Sequence, residues 1–417
     1  MQIGKKNILI LGTHDSILAG HPGAAIKNIP AEYNVRLITY ESLYGVRDYA
    51  FHNATSKVYK IYRKVRNACY KVKKFFKYGE FVRVDKTRPE YCFLSFDDKC
   101  ISADRILSKL SGFTPDIISI MWVASFVSPK TIYDLYQKTQ AKIVIHFIDE
   151  APLAGGCHYH CDCDGYEREC NICPALKSGK ILAHEQMVCR NKYLSDIPLI
   201  MFGPSYDLEK AVKVPAYKNA KFKISVGYPK INFSISTKGR LKYGISENDF
   251  VIFIGAASLK DVRKGFKYSI ESIREFAKDK NNVVVIALGK EHLSDEALGN
   301  VDLIQPGFLK LEEMMEALAM ANVFLSTTIA DSGPYMVNYA FYVGVPVVSF
   351  DLGIAHTLVK DKKTGCFATY KDSKSVAKGL EYIYYLSADE RAEMSQQVKA
   401  EIEKYKDIPC WVNRLNE

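Results

Sequence analysis

The chain has 417 residues, 48% hydrophobic and 25% charged, with a formal net charge of +10. That length is too great for one ordinary core and points to two domains; the composition is that of a soluble globular protein and excludes a disordered or fibrous chain. No apolar run approaches the roughly 20 residues a membrane-spanning helix needs. The opening MQIGKKNILILGTH has only a short apolar run before His14 and Asp15, which reads as a first buried strand and not a signal peptide. Eleven cysteines in such a chain favour thiols or metal in a reducing cytosol over a disulfide framework. The charge is local: Lys57 to Lys77 carries nine Lys or Arg and no acid, which leaves the rest nearly balanced.

Ile8–Leu11 is the first expected strand. The loop after it, GTHDSILAGHPGAAI, is rich in small residues, and Gly20 and Gly23 would let backbone approach a ligand closely; a plain surface turn is the other reading. Val35–Tyr40 is the next strand. In the basic segment Val58, Ile61 or Tyr62, Val65, Cys69, Val72 and Phe76 recur at three- and four-residue intervals, an amphipathic helix. Such a helix either packs on its own domain or lies on an anionic membrane with its cations at the headgroups. Nucleic acid is not expected, since no recognition module accompanies the charge. Ile117–Met121 and Lys142–Phe147 are further buried strands, with a helix over Pro129–Gln137 between them and Asp149-Glu150 at the carboxyl end of the second.

The segment AGGCHYHCDCDGYERECNICPAL follows, residues 154–176, with five of the eleven cysteines between Cys157 and Cys173. Cys157, Cys163, Cys170 and Cys173 suit a structural tetrahedral zinc, with His158 and Cys161 as spare ligands. Unmetallated thiols and disulfides are the alternatives. An open catalytic zinc is not expected, because the thiolates can fill all four positions. Leu199–Phe202 reads as the last strand of the first domain, Pro204-Ser205 as a helix start with Ser205 the N-cap, and the polar stretch Gly227 to Lys238 as the linker.

The second half repeats the βα rhythm. Phe250–Ile254 ends at Gly255, and Ala256 to Gly265 leads into a helix near Phe266. Val283–Leu288 ends at Gly289, Val301–Ile304 leads to Pro306-Gly307, and Leu311–Ala321 is an amphipathic helix. Val323–Thr327 then precedes DSGPYMVNYAFYVGVPVVSF, Asp331 to Phe350. There a Ser-Gly-Pro turn opens a helix whose apolar face is Met336, Val337, Ala340, Phe341 and Val343. Gly344 stands where a C-cap belongs, and the strand Val345–Phe350 follows. Ligands bind at the carboxyl edge of such open parallel sheets, and a helix opening there aims N–H groups at an anion. Arg263-Lys264-Gly265 is expected opposite that loop, where two cations can neutralise a leaving diphosphate. Ser375 to about Tyr405 reads as a helical tail.

The stretch from Asp331 resembles the donor-binding motif of family 4 glycosyltransferases, E-x7-E followed by A-x3-G-x-P-V-V, aligned on Ala340, Gly344 and Pro346. The two acidic positions fall on Asp331 and Tyr339. Asp261 to Phe266 resembles the family's D-x-R-K-G-F. Gly155 to Tyr159 and Cys170 to Pro174 resemble an insert found in members from bacterial surface-polysaccharide pathways. The resemblance implies an α/β chain of two Rossmann-like domains facing across a cleft, the GT-B arrangement. It would divide into 1–226 on the acceptor side, a linker 227–238, a nucleotide-sugar domain 239–395 and a tail 396–417 returning to the first domain.

It further implies a retaining enzyme that moves a hexose from a UDP- or GDP-sugar to a growing, lipid-linked or oligosaccharide bacterial surface glycan, at the cytoplasmic face of the inner membrane. Arg263, Lys264, Asp331 and Asp149 would be its catalytic residues. Gly23, Gly255, Gly289, Gly307, Pro334, Tyr335, Met336, Val337 and Tyr339 would line the donor, with no catalytic metal. Three positions depart from the pattern: Tyr339 replaces a carboxylate, Ala256 an arginine, and Ile148 the histidine of a His-Asp pair. They frame a second reading, a non-catalytic scaffold or partner subunit. His146 lies two residues before Ile148 and, on a strand, points to the same face; sequence leaves its substitution open.

Overall fold

In the structure, a computed structural model, residues 5–15, 29–43, 48–95, 100–229, 231–236, 239–299, 301–333, 335–407 and 410–416 are described. Gly23 and Pro334 lie outside them. The chain divides into two compact units, Met1–Ser225 with Pro409–Glu417, and Val226–Ile408.

The first unit is built on a parallel sheet of β1 (Asn7–His14), β2 (Asn34–Ser42), β3 (Tyr49–Asn53), β4 (Ile117–Ile120), β5 (Lys142–His146), β6 (Ile200–Gly203) and β7 (Lys221–Ile224). Their order is β7-β6-β5-β4-β1-β2-β3. The central strands are continuous apolar runs because both faces are covered. Period-two alternation divides them between two cores. Leu9, Leu11, Ile118, Ile120, Ile143 and Ile145 belong to one. Ile8, Ile10, Ile117, Val144, Ile200 and Phe202 belong to the other, together with Trp411, Val412 and Leu415 from the carboxyl-terminal segment. Trp411 sits edge-on to His146 at 5.0 Å and to Phe202 at 6.4 Å.

The second unit has β8 (Phe250–Gly255), β9 (Val283–Leu288), β10 (Asp302–Ile304), β11 (Val323–Ser326), β12 (Val347–Phe350) and β13 (Gly365–Ala368). All are parallel, in the order β10-β9-β8-β11-β12-β13. In both units the first strand lies beside the fourth, the Rossmann order, which opens a crevice at the carboxyl ends where the connections part. The fold is α/β with two Rossmann-like units.

Several expectations are corrected. The first sheet does not end at Leu199–Phe202: β7 adds an edge strand whose alternating lysines, Lys221 and Lys223, hide it from a search for apolar runs. Ser205 is the first helical residue, and Pro204 stands at the N-cap position in its place. The helix from Leu311 stops at Ala319. The long tail is two helices, Ser373–Tyr384 and Ala388–Glu403, because Ser387 starts the second with a reciprocal capping box to Glu390. The helix Met336–Val343 ends as expected at Gly344, whose φ is 83°.

The basic segment is one helix, Lys57–Tyr78, capped by the Ser56 side chain and closed by left-handed Gly79. Tyr59 is its one fully buried residue. Tyr59 donates to Glu41 Oε1 at 2.6 Å, Arg66 to the Tyr40 hydroxyl, and Lys77 to Glu185 at 2.6 Å, which ties this helix to its own unit. Val58 and Phe76 stay 77% and 81% exposed. Among the described residues no helix is long and apolar enough to cross a membrane.

Removing the aromatic that covers the second core should be costly. Trp411→Ala is expected to destabilise the first unit by roughly 3–5 kcal/mol, read from urea unfolding followed by circular dichroism. A loss below about 1 kcal/mol would mean that the segment does not hold that face.

Candidate functional site

In the second unit β8 and β11 are the neighbours whose connections part. After β8 the chain turns at Asp261, whose carboxylate accepts from the Arg263 backbone N–H at 3.1 Å and pairs with the Arg263 guanidinium at 2.6 Å. Val262–Lys264 is a tight turn closed by Gly265 at φ 63°. Only glycine fits there, since a Cβ would lie 1.9 Å from the Thr327 carbonyl oxygen. The two loops are stitched together: Thr327 Oγ1 donates to the Gly265 carbonyl at 2.9 Å, Ile329 N–H to the Arg263 carbonyl at 2.7 Å, and the Ser269 and Thr327 hydroxyls bond at 2.6 Å.

That stitching brings Lys264 Nζ into an ion pair with Asp331 Oδ2. Asp331 Oδ1 accepts from the Gly333 N–H at 3.0 Å, which fixes the carboxylate at the start of its loop. A cavity of about 210 Å³ adjoins the pair, lined by Gly255, Ala256, Lys264, Thr327, Tyr335, Met336 and Tyr339, among others. The Tyr335 and Tyr339 rings meet edge to face at 4.9 Å. Tyr335 donates to the Gly227 carbonyl at 3.1 Å, and burial raises both phenols above their ordinary value. Lys264, Gly255, Tyr335, Met336 and Tyr339 are thus brought to one place, with Asp331 beside them. Arg263 is turned onto Asp261. Val337 points into the core at 0% exposure. Gly289 and Gly307 are not among the residues lining the cavity; Gly289 packs on Leu259, and at Gly307 no atom stands within 4 Å of where a Cβ would be. Ser326, Thr327 and Thr328, which do line it, carried no sequence signal beyond an apolar strand's polar end.

The first unit gathers its own polar cluster near the carboxyl ends of β4 and β5. Asp149 Oδ2 lies 2.6 Å from Trp122 Nε1 and 2.6 Å from His158 Nδ1, and Oδ1 accepts from the Ala151 N–H at 2.9 Å. His146 is not the partner of Asp149. It stacks on Phe202 at 5.5 Å, its Nε2 finds no hydrogen bond among the described residues, and burial lowers its pKa to about 4. The next pair repeats the pattern: Glu150 accepts from the His160 N–H at 3.0 Å, its other oxygen lies 3.4 Å from His160 Nε2, and Lys210 Nζ lies 3.2 Å from the same nitrogen. Burial pushes His160 down to about 3 and lowers Lys210.

Among the described residues no cysteine is in a disulfide. Cys157, Cys163, Cys170 and Cys173 line one small cavity of about 10 Å³. Among the described residues, however, no group of three or more His, Cys, Asp or Glu is arranged to hold a metal ion, so the expected zinc set is not met by a ready-made site. The sulfurs have other partners. Cys157 donates its S–H to Cys173, which lowers Cys173 to about 7, and the Gly165 and Gly155 N–H groups donate to Cys163 and Cys170 at 3.3 and 3.4 Å.

Comparison with known proteins bears on the second unit most directly. Residues 237–401 match the family described as Glycosyl transferases group 1, a span that lies wholly within that unit. No curated protein matches the sequence. Sucrose-phosphate synthase from Thermosynechococcus elongatus has a similar structure, with a TM-score of 0.59 at 12% identity over 99% of this chain and 98% of that one. Anabaena HepE in complex with UDP and glucose gives 0.59 at 13% identity, over 98% and 100%. The E. coli trehalose-6-phosphate structure bound with UDP-2-fluoro glucose gives 0.63 at 12% identity, over 99% of each. At these identities the likeness is one of fold. Residues 237–401 match glycosyl transferases group 1, and the chain shares with these structures the GT-B fold of two Rossmann-like units.

Proposed function

We propose that the chain transfers a hexose, with retention, from a UDP- or GDP-sugar to a growing bacterial surface glycan. The observation that carries this reading is the Lys264–Asp331 pair at the mouth of the 210 Å³ cavity between the ends of β8 and β11. A nucleotide diphosphate competes for Lys264 and the sugar's hydroxyls for Asp331, so binding exchanges one ion pair for two ligand contacts. As the glycosidic bond breaks, negative charge builds on the diphosphate, and a fixed lysine stabilises it in proportion. Two similar structures carry UDP with glucose and UDP-2-fluoro glucose, which favours UDP as the first nucleotide to try. Tyr339, lining the cavity where relatives of this motif carry a carboxylate, offers the nucleotide one hydroxyl and a ring face in its place.

The helix Lys57–Tyr78 supports a peripheral position at the cytoplasmic face of the inner membrane, next to a lipid-linked acceptor. It leaves Val58, Ile61, Val65 and Phe76 exposed among Lys60, Lys64 and Lys71. For the cysteine cluster, structural zinc is proposed as the occupant, on the ground that four thiols share one small cavity and the Cys163 and Cys170 sulfurs accept backbone N–H bonds.

Calorimetry with a panel of UDP- and GDP-sugars tests the donor reading; no binding by any of them ends it. Lys264→Ala should lower turnover roughly a hundred- to a thousandfold, whereas Asp331→Asn should leave UDP affinity within a few-fold and disturb transfer. Full turnover in Lys264→Ala would put the phosphate site elsewhere. Replacing Lys60, Lys64 and Lys71 by Gln should weaken pelleting with anionic vesicles by about 1 kcal/mol per charge, and unchanged pelleting at low salt would leave the helix a domain face. Elemental analysis of protein purified without added metal should find about one equivalent of zinc; none, with the four thiols freely titratable, defeats that assignment.

A further inference from the structure

A cavity of about 650 Å³ lies at the amino end of the second unit's sheet, the end opposite the Lys264–Asp331 pair. Its walls include Phe250, which starts β8, Asn322, just before β11, and Val345-Pro346, just before β12. β8 has six residues, and at a rise near 3.3 Å per residue roughly 17 Å of strand separates this cavity from Gly255 in the donor cavity. The donor chemistry therefore makes no use of it. Its volume falls within the roughly 300–1,000 Å³ that ligand pockets span.

The polar part of the wall is held by its own bonds. The Arg240 guanidinium donates to the carbonyls of Ser246, Asp249 and Met320 at 2.8, 3.1 and 3.1 Å and to Asn322 Oδ1 at 3.0 Å. Asn322 Oδ1 also accepts from the Val251 N–H at 2.8 Å, so the amide is fixed by its oxygen and its two N–H donors have no partner among the described residues. The Tyr384 hydroxyl donates to Asn282 Oδ1 at 3.0 Å, and Asn282 Nδ2 donates to the Asn248 carbonyl at 2.8 Å. A phenol that donates in this way keeps its oxygen as an acceptor. Arg391, on the helix Ala388–Glu403, lines the same cavity half-buried, and among the described residues its guanidinium has no hydrogen-bond or ion-pair partner. A fixed frame with donors and acceptors left over is preorganised, as ligand recognition requires.

We propose that this cavity is a second carbohydrate site, which binds a neutral oligosaccharide segment away from the reacting end. The class of ligand rests on the glycosyl-transfer reading; the site itself rests on the geometry. The lining carries two cations, Arg240 and Arg391, against two carboxylates, Glu247 and Asp249, and its formal charge cancels. Arg240 is already spent on carbonyl groups, so a phosphate would meet one open guanidinium and two carboxylates that repel it. A sugar hydroxyl donates and accepts at once. It can use carboxylates, amides, a phenol and a guanidinium together, which is the set this wall offers.

Saturation-transfer NMR of the full chain with maltotriose, cellotriose and mannotriose tests the site, with glucose 6-phosphate as the anionic comparison. At least one trisaccharide is expected to bind. Arg391→Ala removes a charged hydrogen-bond donor that the fold does not use, and should weaken that binding roughly ten- to hundredfold. Ala392→Trp sets an indole into the same wall and should abolish it. Both variants should keep the wild-type thermal midpoint and UDP affinity. Three results overturn the proposal. In the first, none of the trisaccharides binds. In the second, one binds but neither variant weakens it, which places the sugar elsewhere. In the third, glucose 6-phosphate alone responds to Arg391→Ala, which makes the ligand an anion. UDP is titrated on the same samples: its failure to bind beside an intact trisaccharide response would overturn the donor reading and leave this site standing.

Discussion

Neighbouring parallel strands whose connections leave in opposite directions cannot close the gap between their own carboxyl ends, and each unit uses that constraint. In the second unit the gap between β8 and β11 is narrowed until backbone meets backbone at Gly265 and Thr327. The missing Cβ at Gly265 sets how near the basic turn stands to the Asp331 loop, and with it the Lys264–Asp331 pair. In the first unit the corresponding strands are β1 and β4. The Thr13 N–H donates to the Trp122 carbonyl at 2.6 Å and the Thr13 hydroxyl to the Ala124 carbonyl at 2.8 Å. The loop bearing Trp122 is thereby fastened to the end of β1, and the His14 ring stacks on the indole at 5.7 Å.

Beyond that gap, the first unit buries an unusual amount of charge. Asp149, Glu150, His158, His160 and Arg190 are all buried, and each would be costly alone. They persist because they satisfy one another and the backbone: Asp149 with His158, Glu150 with His160 and Lys210, Arg190 with three carbonyls. Breaking one partner in such a set strands the other in a low dielectric. The insert and the acidic pair after β5 therefore form one unit of stability, with the thiol cluster as its far wall. The same logic explains His146, which stays buried only because burial keeps its imidazole neutral.

The basic helix shows how one element can serve two surroundings. Tyr59, Arg66 and Lys77 turn to Glu41, Tyr40 and Glu185 of its own unit, while Phe76 and Val58 stay in solvent with most of the lysines. Apolar spacing alone reads as a helix packed by its hydrophobic stripe. The structure instead packs this one largely through polar contacts and leaves much of the stripe outward, the pattern that the membrane proposal requires.

The sequence by itself determined the alternation of strands and helices, because strands covered on both faces must be continuous apolar runs and Gly344 must follow a helix in the left-handed region. It also located the Asp261–Phe266 turn and the Asp331 loop, whose glycines and charges sit at fixed offsets from those strands. It did not determine β7, where lysines alternate on an exposed edge, nor the break between the two tail helices, which a capping box decides locally. Which histidine meets Asp149 was a tertiary matter. His146 is three residues away and faces the wrong core, whereas His158 is nine residues away and is brought back by pairing of its strand with Cys92–Phe93. Sequence distance says how far the chain can reach, and only the packed fold says which way a side chain points when it arrives.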